Sequence, residues 1–185
     1  MTKIHRIKIE PMTEDSFAPF GDLWDARERP ADHRVIKRTG YTYAGTTTVS
    51  VIWQPEGGMT FNEIERHFGV TQSFVQISGA PAVVCVAPPS ATEDPADVPD
   101  PAQIRALRID PAKGYAFRRG TWHSLNRHIL APPGAVFLIL NSDPNPTQMI
   151  NYETGGLSIY RDLGNSEPER RKHERLSGIS FEIVP

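Results

Sequence analysis

The feature that most constrains the fold of this chain is the way proline and glycine divide it into short pieces. Seventeen prolines and fourteen glycines occur among 185 residues, and the segments between them are rich in β-branched and aromatic residues. Eight segments are predicted as strands: TTTVSVIWQ, QSFVQIS, AVVCVA, IRALRI, YAFRR, AVFLIL, GLSIY and ISFEIV. Strands do not alternate with helices, so the pattern disfavours a doubly wound α/β fold. It predicts an all-β sandwich or barrel with one or two short helices.

Two segments have the signals of helices, and one has those of a loop. The stretch TEDSFAPFGD places Thr13 as an N-cap before two acidic residues. A second, charged helix is predicted near residues 166–176, with Ser166 as its N-cap and Glu169 as the capping-box partner. Residues 87–102 are acidic and proline-rich, which predicts a mobile loop outside the core.

Length, charge and cysteine usage limit the class of protein. The chain is predicted to form a single domain over residues 1–185. A net charge of -2 and a sequence pI of about 6.3 argue against a nucleic-acid partner. The single cysteine, Cys85, lies in an apolar run, which predicts a reduced core residue. Neither an export signal nor an apolar run of membrane length is visible, so a cytoplasmic protein with no membrane partner is expected.

The stretch EIERH sets Glu63, Glu65 and His67 at alternate positions, which share one face of a strand. Gln72 follows five residues after His67, and Gly79 stands at a predicted turn. This run is similar to the first motif of the cupin barrels, H-x-H-x(3,4)-E-x6-G, with Glu65 in place of the first histidine and Gln72 in place of the glutamate. Glu63 lies either at the barrel mouth or in solvent.

A second motif lies further along the chain. The stretch GYAFRRGTWH contains Gly120-x-x-His123, similar to the tail of the second cupin motif, P-x-G-x-x-H, with Arg118 in place of the proline. The two cupin motifs converge on one interior point. The predicted site comprises Glu65, His67, Gln72 and His123. One carboxylate, two imidazoles and an amide oxygen suit a divalent transition metal with an open position for substrate.

Residues around the two motifs have less specific signals. Arg66 points to the opposite face from its neighbours and is expected at the surface or in an interface ion pair. Trp122 is expected to pack beside the site. Four other histidines match no motif and are expected at the surface: His5, His33, His128 and His173. The chain has no G-x-S-x-G, P-loop or H-E-x-x-H pattern.

Four stretches carry a resemblance to the ureidoglycolate lyase family, whose members are also called ureidoglycolate hydrolases: FAPFGDLWD, IERHFGVTQSF, GYAFRRGTWH and VFLILNSD. The second is the most specific, because the family carries a closely similar E-R-H followed by G-x-T-Q-x-F. The resemblance covers roughly residues 6–160. The matching residues are Glu65, Arg66, His67, Thr71, Gln72, Phe74, Gly114, Arg119, Trp122 and His123.

This resemblance implies a cupin-like β-barrel that forms a homodimer and, in some members, binds nickel. The predicted carboxylate, imidazole and amide donors would also suit manganese or zinc. It also implies cleavage of ureidoglycolate to glyoxylate and urea in allantoin degradation. The chain departs from the family where Ser124-Leu125 stand in place of His-Pro. It departs again where Asn141 and Ser142 stand in place of an acid and an arginine.

Ureidoglycolate is a hemiaminal, so its cleavage needs a base at the hydroxyl and an acid at the departing nitrogen. His67 and His123 are candidates for these roles or for metal ligation, together with Glu65. The predicted substrate-binding residues are Gln72, Arg119, Trp122 and Asn141, with Arg119 able to hold the carboxylate if it faces inward. Two alternatives remain: a metal-dependent cupin oxygenase or isomerase, and a non-catalytic small-molecule-binding module.

Overall fold

The structure is a computed structural model that describes residues 2–25, 36–91 and 94–185. Strands dominate it, and each of the eight segments predicted as strands contains one. The strands assemble into two sheets, which confirms the expected all-β, cupin-like double-sheet architecture. His33 lies outside the described residues. In the part of the chain that the structure describes, no helix is long and apolar enough to cross a membrane.

The larger sheet has eleven strands among the described residues. Their bounds are β1 Lys3–Pro11, β4 Thr60–Phe61, β5 Glu63–His67, β7 Ala82–Ala87, β8 Arg105–Arg108, β10 Trp122–Ser124, β11 His128–Ile129, β13 Thr147–Asn151, β14 Gly156–Tyr160, β15 Glu169–Lys172 and β16 Ile179–Val184. They lie in the order β15-β14-β13-β5-β10-β7-β8-β1-β16-β4, and β11 pairs with β7. Strands β5 and β10 are therefore neighbours, which brings the two sequence motifs side by side.

The smaller sheet has five strands among the described residues. Their bounds are β2 Gly21–Trp24, β3 Thr46–Pro55, β6 Ser73–Gly79, β9 Gly114–Phe117 and β12 Gly134–Asp143, and they lie in the order β2-β9-β6-β12-β3. Gly79 at the end of β6 has a φ of +96°. A Cβ there would lie 2.4 Å from the carbonyl oxygen of Gly134. The turn predicted at this position therefore requires glycine.

Two buried apolar clusters lie on the two faces of the larger sheet. The inner cluster fills the space between the sheets, and the outer cluster lies behind the larger sheet. The large side chains of the inner cluster include Phe17, Phe20, Phe74, Tyr115, Phe117 and Phe137. Those of the outer cluster include Ile64, Trp122, Tyr152 and Phe181. Every strand between the two clusters thus presents one face to each.

Strand β7 shows how the sequence meets this requirement. Val84 and Val86 belong to the inner cluster, whereas Val83, Cys85 and Ala87 belong to the outer one. A central strand that is buried on both faces needs a continuous apolar run rather than alternation. Cys85 is buried with a free thiol, as predicted, and burial raises its pKa.

The predicted N-terminal helix is present as α1, Glu14–Phe17. Thr13 caps it, because its Oγ1 accepts a hydrogen bond from the Ser16 amide while the Ser16 hydroxyl accepts one from the Thr13 amide. This short helix delivers the fully buried Phe17 to the inner cluster, where its ring centroid lies 5.8 Å from that of Tyr115.

The prediction of a charged helix near residues 166–176 is wrong. Residues Glu169–Lys172 form β15, which pairs antiparallel with β14. Ser166 does not cap a helix, since its hydroxyl donates to the carbonyl oxygen of Asp162 at 2.9 Å and accepts from the Asp162 amide at 3.0 Å. The open edge of the larger sheet supplies backbone partners to this segment, and tertiary pairing overrides the local capping signal.

Residues 87–102 are also not the detached loop that their composition predicts. In the described part of this segment, Val98 packs against the outer cluster. The Tyr152 hydroxyl donates to the carbonyl oxygen of Pro99 at 2.7 Å. A 3-10 turn over Pro101–Gln103 then leads into β8. The described part of the segment can lie on the outer face of the larger sheet because hydrogen bonds such as that from Tyr152 satisfy its backbone carbonyl groups.

Candidate functional site

Strand β5 carries Glu65 and His67, and its neighbour β10 carries His123. The register sets His123 directly opposite Glu65, and the two imidazole centroids lie 5.2 Å apart. Glu65 Oε1 is 3.7 Å from His67 Nε2 and 3.9 Å from His123 Nδ1. All three side chains are buried. The structure thus brings together three of the four residues predicted to meet, and we call them the Glu–His–His cluster.

Hydrogen bonds at the two Nδ1 atoms determine the tautomers of the imidazoles. The Thr147 hydroxyl donates to the carbonyl oxygen of Asn145 at 3.0 Å, so it accepts from His67 Nδ1 at 2.8 Å. His123 Nδ1 lies 3.1 Å from the carbonyl oxygen of Ser124, which can only accept. Each neutral ring therefore carries its proton on Nδ1 and leaves Nε2 with a free lone pair. Both Nε2 atoms are buried and have no hydrogen-bond partner among the described residues.

An aromatic wall supports the cluster on the side of the smaller sheet. Phe117 of β9 stacks on His123 with a centroid separation of 4.6 Å and an interplanar angle of 6°. Phe74 of β6 contacts Phe117 edge-on at 5.8 Å. These rings restrict the orientation of the His123 imidazole and exclude water from one side of it.

Burial and neighbouring charges have opposing effects on the pKa values of the cluster. Burial alone would raise the pKa of Glu65, but His67, His123 and the Arg127 guanidinium together hold that pKa below its ordinary value. Burial lowers the pKa of His123 to about 3, despite the nearby Glu65 carboxylate. At neutral pH the cluster therefore contains an ionised carboxylate beside a neutral His123 imidazole.

This donor set fits a divalent cation. One ligand atom from each of Glu65, His67 and His123 lies within 4.8 Å of the others. Two imidazole nitrogens and a carboxylate oxygen suit transition metals such as nickel, manganese or zinc. Histidine ligands commonly donate their other N–H to an oxygen in this way, which fixes the ring and directs the lone pair.

Gln72 and Asn141 face the same interior space from the smaller sheet. Gln72 alternates with Phe74, and Asn141 alternates with Ile139, so all four point inward. The pairing of Phe74 with Ile139 places Gln72 and Asn141 opposite each other one step further along. Gln72 Oε1 is buried without a hydrogen-bond partner in the described part of the chain, while Asn141 Oδ1 accepts from the Ser142 amide at 2.9 Å.

A family model described as ureidoglycolate lyase matches residues 4–154, a span that contains all of these side chains. The chain belongs to the ureidoglycolate lyase family. A relative from Rhodobacter capsulatus, named ureidoglycolate lyase, is 32% identical over 143 residues, which are 71% of this chain and 82% of the relative. Relatives of the same name are 32% identical in Pseudomonas paraeruginosa, over 63% of this chain and 73% of the relative, and 29% identical in Chelativorans sp., over 71% and 80%.

Arg66 occupies a different place in this ureidoglycolate lyase family member than the sequence predicts. Its side chain is completely buried, and its Nε and Nη2 donate to Gln148 Oε1 at 3.0 and 2.7 Å. Nη1 donates to the carbonyl oxygen of Ser90 at 3.1 Å. The prediction of a surface or interface position is wrong, because Ser90 and Ala91 lie over this face of the sheet.

Trp122 lies on the same outer face as Arg66. Its ring centroid is 4.5 Å from Arg66 Cζ, and its Nε1 donates to Ser90 Oγ at 3.0 Å. Because side chains alternate along β10, Trp122 points away from the Glu–His–His cluster, although it adjoins His123 in the sequence. It supports the scaffold of the site and does not line the interior as a substrate-binding residue would.

The predicted role of Arg119, holding the substrate carboxylate, requires that it face inward, and it does not. Its side chain is exposed at the turn before β10. Its Nε donates to the carbonyl oxygen of Phe68 at 2.8 Å, and its Nη2 donates to the same oxygen. Arg119 therefore joins two loops outside the barrel, and the structure gives it no contact with the Glu–His–His cluster among the described residues.

Sequence reasoning missed the burial of three polar residues, two of which lie near the site. His128 was expected at the surface but is buried, and burial lowers its pKa. Arg127 is buried as well, with its Nε donating to the Tyr115 hydroxyl at 3.2 Å. Thr147 is completely buried against His67. None of these residues belongs to a motif. Strand pairing places Thr147 opposite His67, whereas His128 packs against Phe61 of the outer cluster.

Proposed function

We propose that this chain is an enzyme of allantoin degradation that cleaves ureidoglycolate, or a related ureido hemiaminal acid, to glyoxylate and urea. The observation that carries the proposal is the Glu–His–His cluster, in which the buried Nε2 atoms of both imidazoles have no hydrogen-bond partner among the described residues and the Glu65 carboxylate is ionised. Membership of the ureidoglycolate lyase family and the names of the relatives support the same reaction. The oxygenase, isomerase and binding-module alternatives gain no support from either source.

The chemistry requires one proton to be moved from oxygen to nitrogen. Ureidoglycolate carries its hydroxyl and its ureido nitrogen on the same carbon. Removal of the hydroxyl proton forms the aldehyde carbonyl of glyoxylate, the carbon–nitrogen bond breaks, and the departing nitrogen takes a proton to give urea. An imidazole with a free Nε2 accepts the first proton and returns it to the nitrogen, which restores the enzyme. The adjacent Glu65 carboxylate stabilises the imidazolium formed between these steps.

The same lone pairs define a candidate metal site. Glu65, His67 and His123 would hold a divalent cation, and Gln72 Oε1 would complete the donor set; nickel is implied by the resemblance to the family, and manganese or zinc suits the same donors. Such a cation supplies Lewis acidity, which lowers the pKa of a coordinated hydroxyl. One Nε2 lone pair cannot ligate and accept a proton at the same time, so each imidazole performs one of the two roles.

Amide groups on the inner face suit the ureido end of the substrate. A ureido group presents a carbonyl acceptor and N–H donors, and the side-chain amides of Gln72 and Asn141 offer both complementary groups. Their inward orientation supports this assignment. Arg119 and Trp122 do not belong to this set, because their side chains lie outside the barrel interior.

Two alanine variants and a metal analysis test the reaction and the site together. Protein purified without added metal is assayed for glyoxylate formation from ureidoglycolate at neutral pH, alone and with nickel, manganese or zinc. His67→Ala and His123→Ala are each expected to lose on the order of 10²–10⁴ in rate. The matched control is His5→Ala on β1, where the ring packs against Phe181. His128 is unsuitable as a control because it is buried.

The outcomes of this assay separate the hypotheses. Activity that survives removal of metal assigns an imidazole to proton transfer, whereas activity restored only by one cation assigns the histidines to ligation. Wild-type protein that is inactive in every metal condition would remove the lyase assignment and favour the binding module. An active His67→Ala variant would keep the reaction and discard this site.

We also propose a homodimer, with the outer face of the smaller sheet as the contact surface. Val49, Val51, Trp53 and Ile77 are exposed by 65%, 66%, 58% and 54%. Val49, Val51 and Trp53 pair with outward-facing residues of β12, so one apolar patch extends over the edge strand β3. Light scattering is expected to give a mass of twice 20.6 kDa. Val51→Lys should reduce it to that of one chain, and a wild-type monomer would refute the dimer.

The proposed location is the cytoplasm. The single cysteine has a buried, free thiol, which is compatible with a reducing compartment. Fractionation of cells that produce the protein, with the chain detected by an antibody, would test this location. Recovery from a secreted or membrane fraction would contradict it.

A further inference from the structure

Arg127 lies inside the barrel, held in place by contacts along its whole length. Its backbone amide donates to Gln54 Oε1 at 3.3 Å, and its Nε donates to the Tyr115 hydroxyl at 3.2 Å. The guanidinium carbon lies 3.6 Å from the centroid of the Phe74 ring. Only 6% of the residue is exposed. The guanidinium is therefore a preorganised cation in an apolar interior.

This cation is not fully partnered. Nη2 is buried and has no hydrogen-bond acceptor among the described residues, and no carboxylate in that part of the chain forms an ion pair with Arg127. A buried guanidinium with an unmatched donor is unfavourable unless an acceptor arrives to meet it. Nη2 thus marks a position at which an anionic acceptor would be stabilised.

The guanidinium lies between an open pocket and the Glu–His–His cluster. The pocket has a volume of about 370 Å³, and its lining includes Arg127, Gln54, Glu63 and Ser124. This volume lies within the range of small-molecule sites. Glu63 Oε1 accepts a hydrogen bond from Asn151 Nδ2 at 2.9 Å, which directs that carboxylate toward β13.

On its other side, Arg127 is connected to the cluster through aromatic rings. Phe74 lies under the guanidinium, Phe117 contacts Phe74, and Phe117 stacks on His123. Burial is the largest influence on the pKa of both Glu65 and His123, and the charge of Arg127 is among the groups that lower each of them. Arg127 is thus within electrostatic reach of the reacting centre.

We propose that Arg127 binds the carboxylate of the substrate through Nη2 and presents the neighbouring carbon to the Glu–His–His cluster, with the pocket as the entrance. The proposal deepens the proposed function and rests on it for the identity of the substrate. The family resemblance would place an arginine where this chain has Ser142, and Arg119 lies outside the barrel. Arg127 thus supplies a cationic partner for the substrate carboxylate that neither of these positions provides. Any small anionic 2-hydroxy or 2-oxo acid of similar length would share this contact.

The test compares an anion with its neutral counterpart. Oxalurate is a stable analogue in which a carbonyl replaces the carbinol carbon of ureidoglycolate, and oxaluramide is the same molecule with an amide in place of the carboxylate. Calorimetric titration of each compound gives a preference ratio, defined as the Kd of oxaluramide over the Kd of oxalurate. The wild-type ratio is expected to be on the order of 10², the magnitude expected for a buried charge pair.

Two variants assign this preference to the residue. Arg127→Met removes the charge while keeping the unbranched aliphatic part of the side chain, and should bring the ratio near one. Arg127→Lys retains a cation and should keep a ratio clearly above one. The matched control, Arg119→Gln, removes an exposed arginine and should leave the ratio at its wild-type value. Thermal melts of all variants report whether they fold.

Each outcome supports or overturns the assignment. A wild-type ratio near one overturns it without any variant. A ratio that falls in Arg119→Gln and persists in Arg127→Met overturns it in favour of Arg119. Turnover of ureidoglycolate is measured in parallel, so that failure of the proposed function is recognised separately. Inactive wild-type protein whose oxalurate preference depends on Arg127 would refute the reaction and leave the anion site standing.

Discussion

Replacing Thr147 with valine would test whether the tautomer of His67 matters for the site. Thr147 is completely buried in β13, and its hydroxyl holds the proton of His67 on Nδ1. Valine has nearly the same shape but offers neither an acceptor nor a donor. Without the acceptor, the proton of the neutral imidazole can move to Nε2, the atom whose lone pair faces the cluster.

The hydrogen bonds of Thr147 determine the size of the effect. The substitution removes the bond of 2.8 Å from His67 Nδ1 and the bond of 3.0 Å to the carbonyl oxygen of Asn145. The carbonyl oxygen of Asn145 still accepts from the Leu163 amide, but the buried Nδ1 of His67 is left unsatisfied. The loss of the two bonds should therefore lower the free energy of unfolding by about 2–4 kcal/mol. Loss of a hydrogen-bond partner behind a metal-binding histidine typically lowers metal affinity or activity by roughly 10–100-fold.

Three measurements follow from this reasoning. Thr147→Val should show weaker metal binding in competition with a chelator, slower glyoxylate formation, and a changed tautomer signal in the 15N NMR spectrum of the His67 ring. Thr147→Ser keeps the hydroxyl and should restore all three. A purely structural role would change stability without changing the tautomer signal. Thr147→Val with wild-type metal affinity and turnover would refute the reasoning.

Two further predictions concern stability. Phe17→Ala should lower the free energy of unfolding by about 3–5 kcal/mol, because this ring is completely buried in the inner cluster. Urea titration would measure this loss. As a control, Ile4→Ala at an exposed position should change the free energy of unfolding by less than about 0.5 kcal/mol. His123 has a pKa of about 3 in the folded protein against about 6.5 when unfolded. The unfolded state therefore binds more protons between these values, and stability should fall as the pH drops from 6.5 toward 3, by up to about 1.4 kcal/mol per pH unit. Urea titrations of metal-free protein would check this, and an unchanged pH slope in His123→Gln would contradict it.

Local signals in the sequence were sufficient for much of the fold. The continuous apolar run of β7 matches a strand buried on both faces, and alternation along β5 places Glu65 and His67 together. The Thr13 cap depends only on residues three positions away. Such features follow from backbone periodicity and short-range hydrogen bonds, which the order of residues specifies directly.

The contacts of a polar segment depend instead on the assembled sheets. The helix predicted near residues 166–176 becomes β15 because the edge of β14 is available to it. Arg66 is buried because Ser90 and Ala91 cover it, although its place on the outer face of β5 was predicted correctly. Composition describes the polarity of these segments but not the surface that they meet.

The site divides in the same way. Two motifs in the sequence determined that Glu65, His67 and His123 belong together, because their spacing places them on the inner faces of neighbouring strands. The tertiary structure alone decided what surrounds them: Thr147, eighty residues from His67, fixes a tautomer, and Arg127 enters the interior beyond the second motif. The physical reason is that a strand's own period specifies which face a side chain takes, whereas its contacts depend on which distant strand pairs beside it.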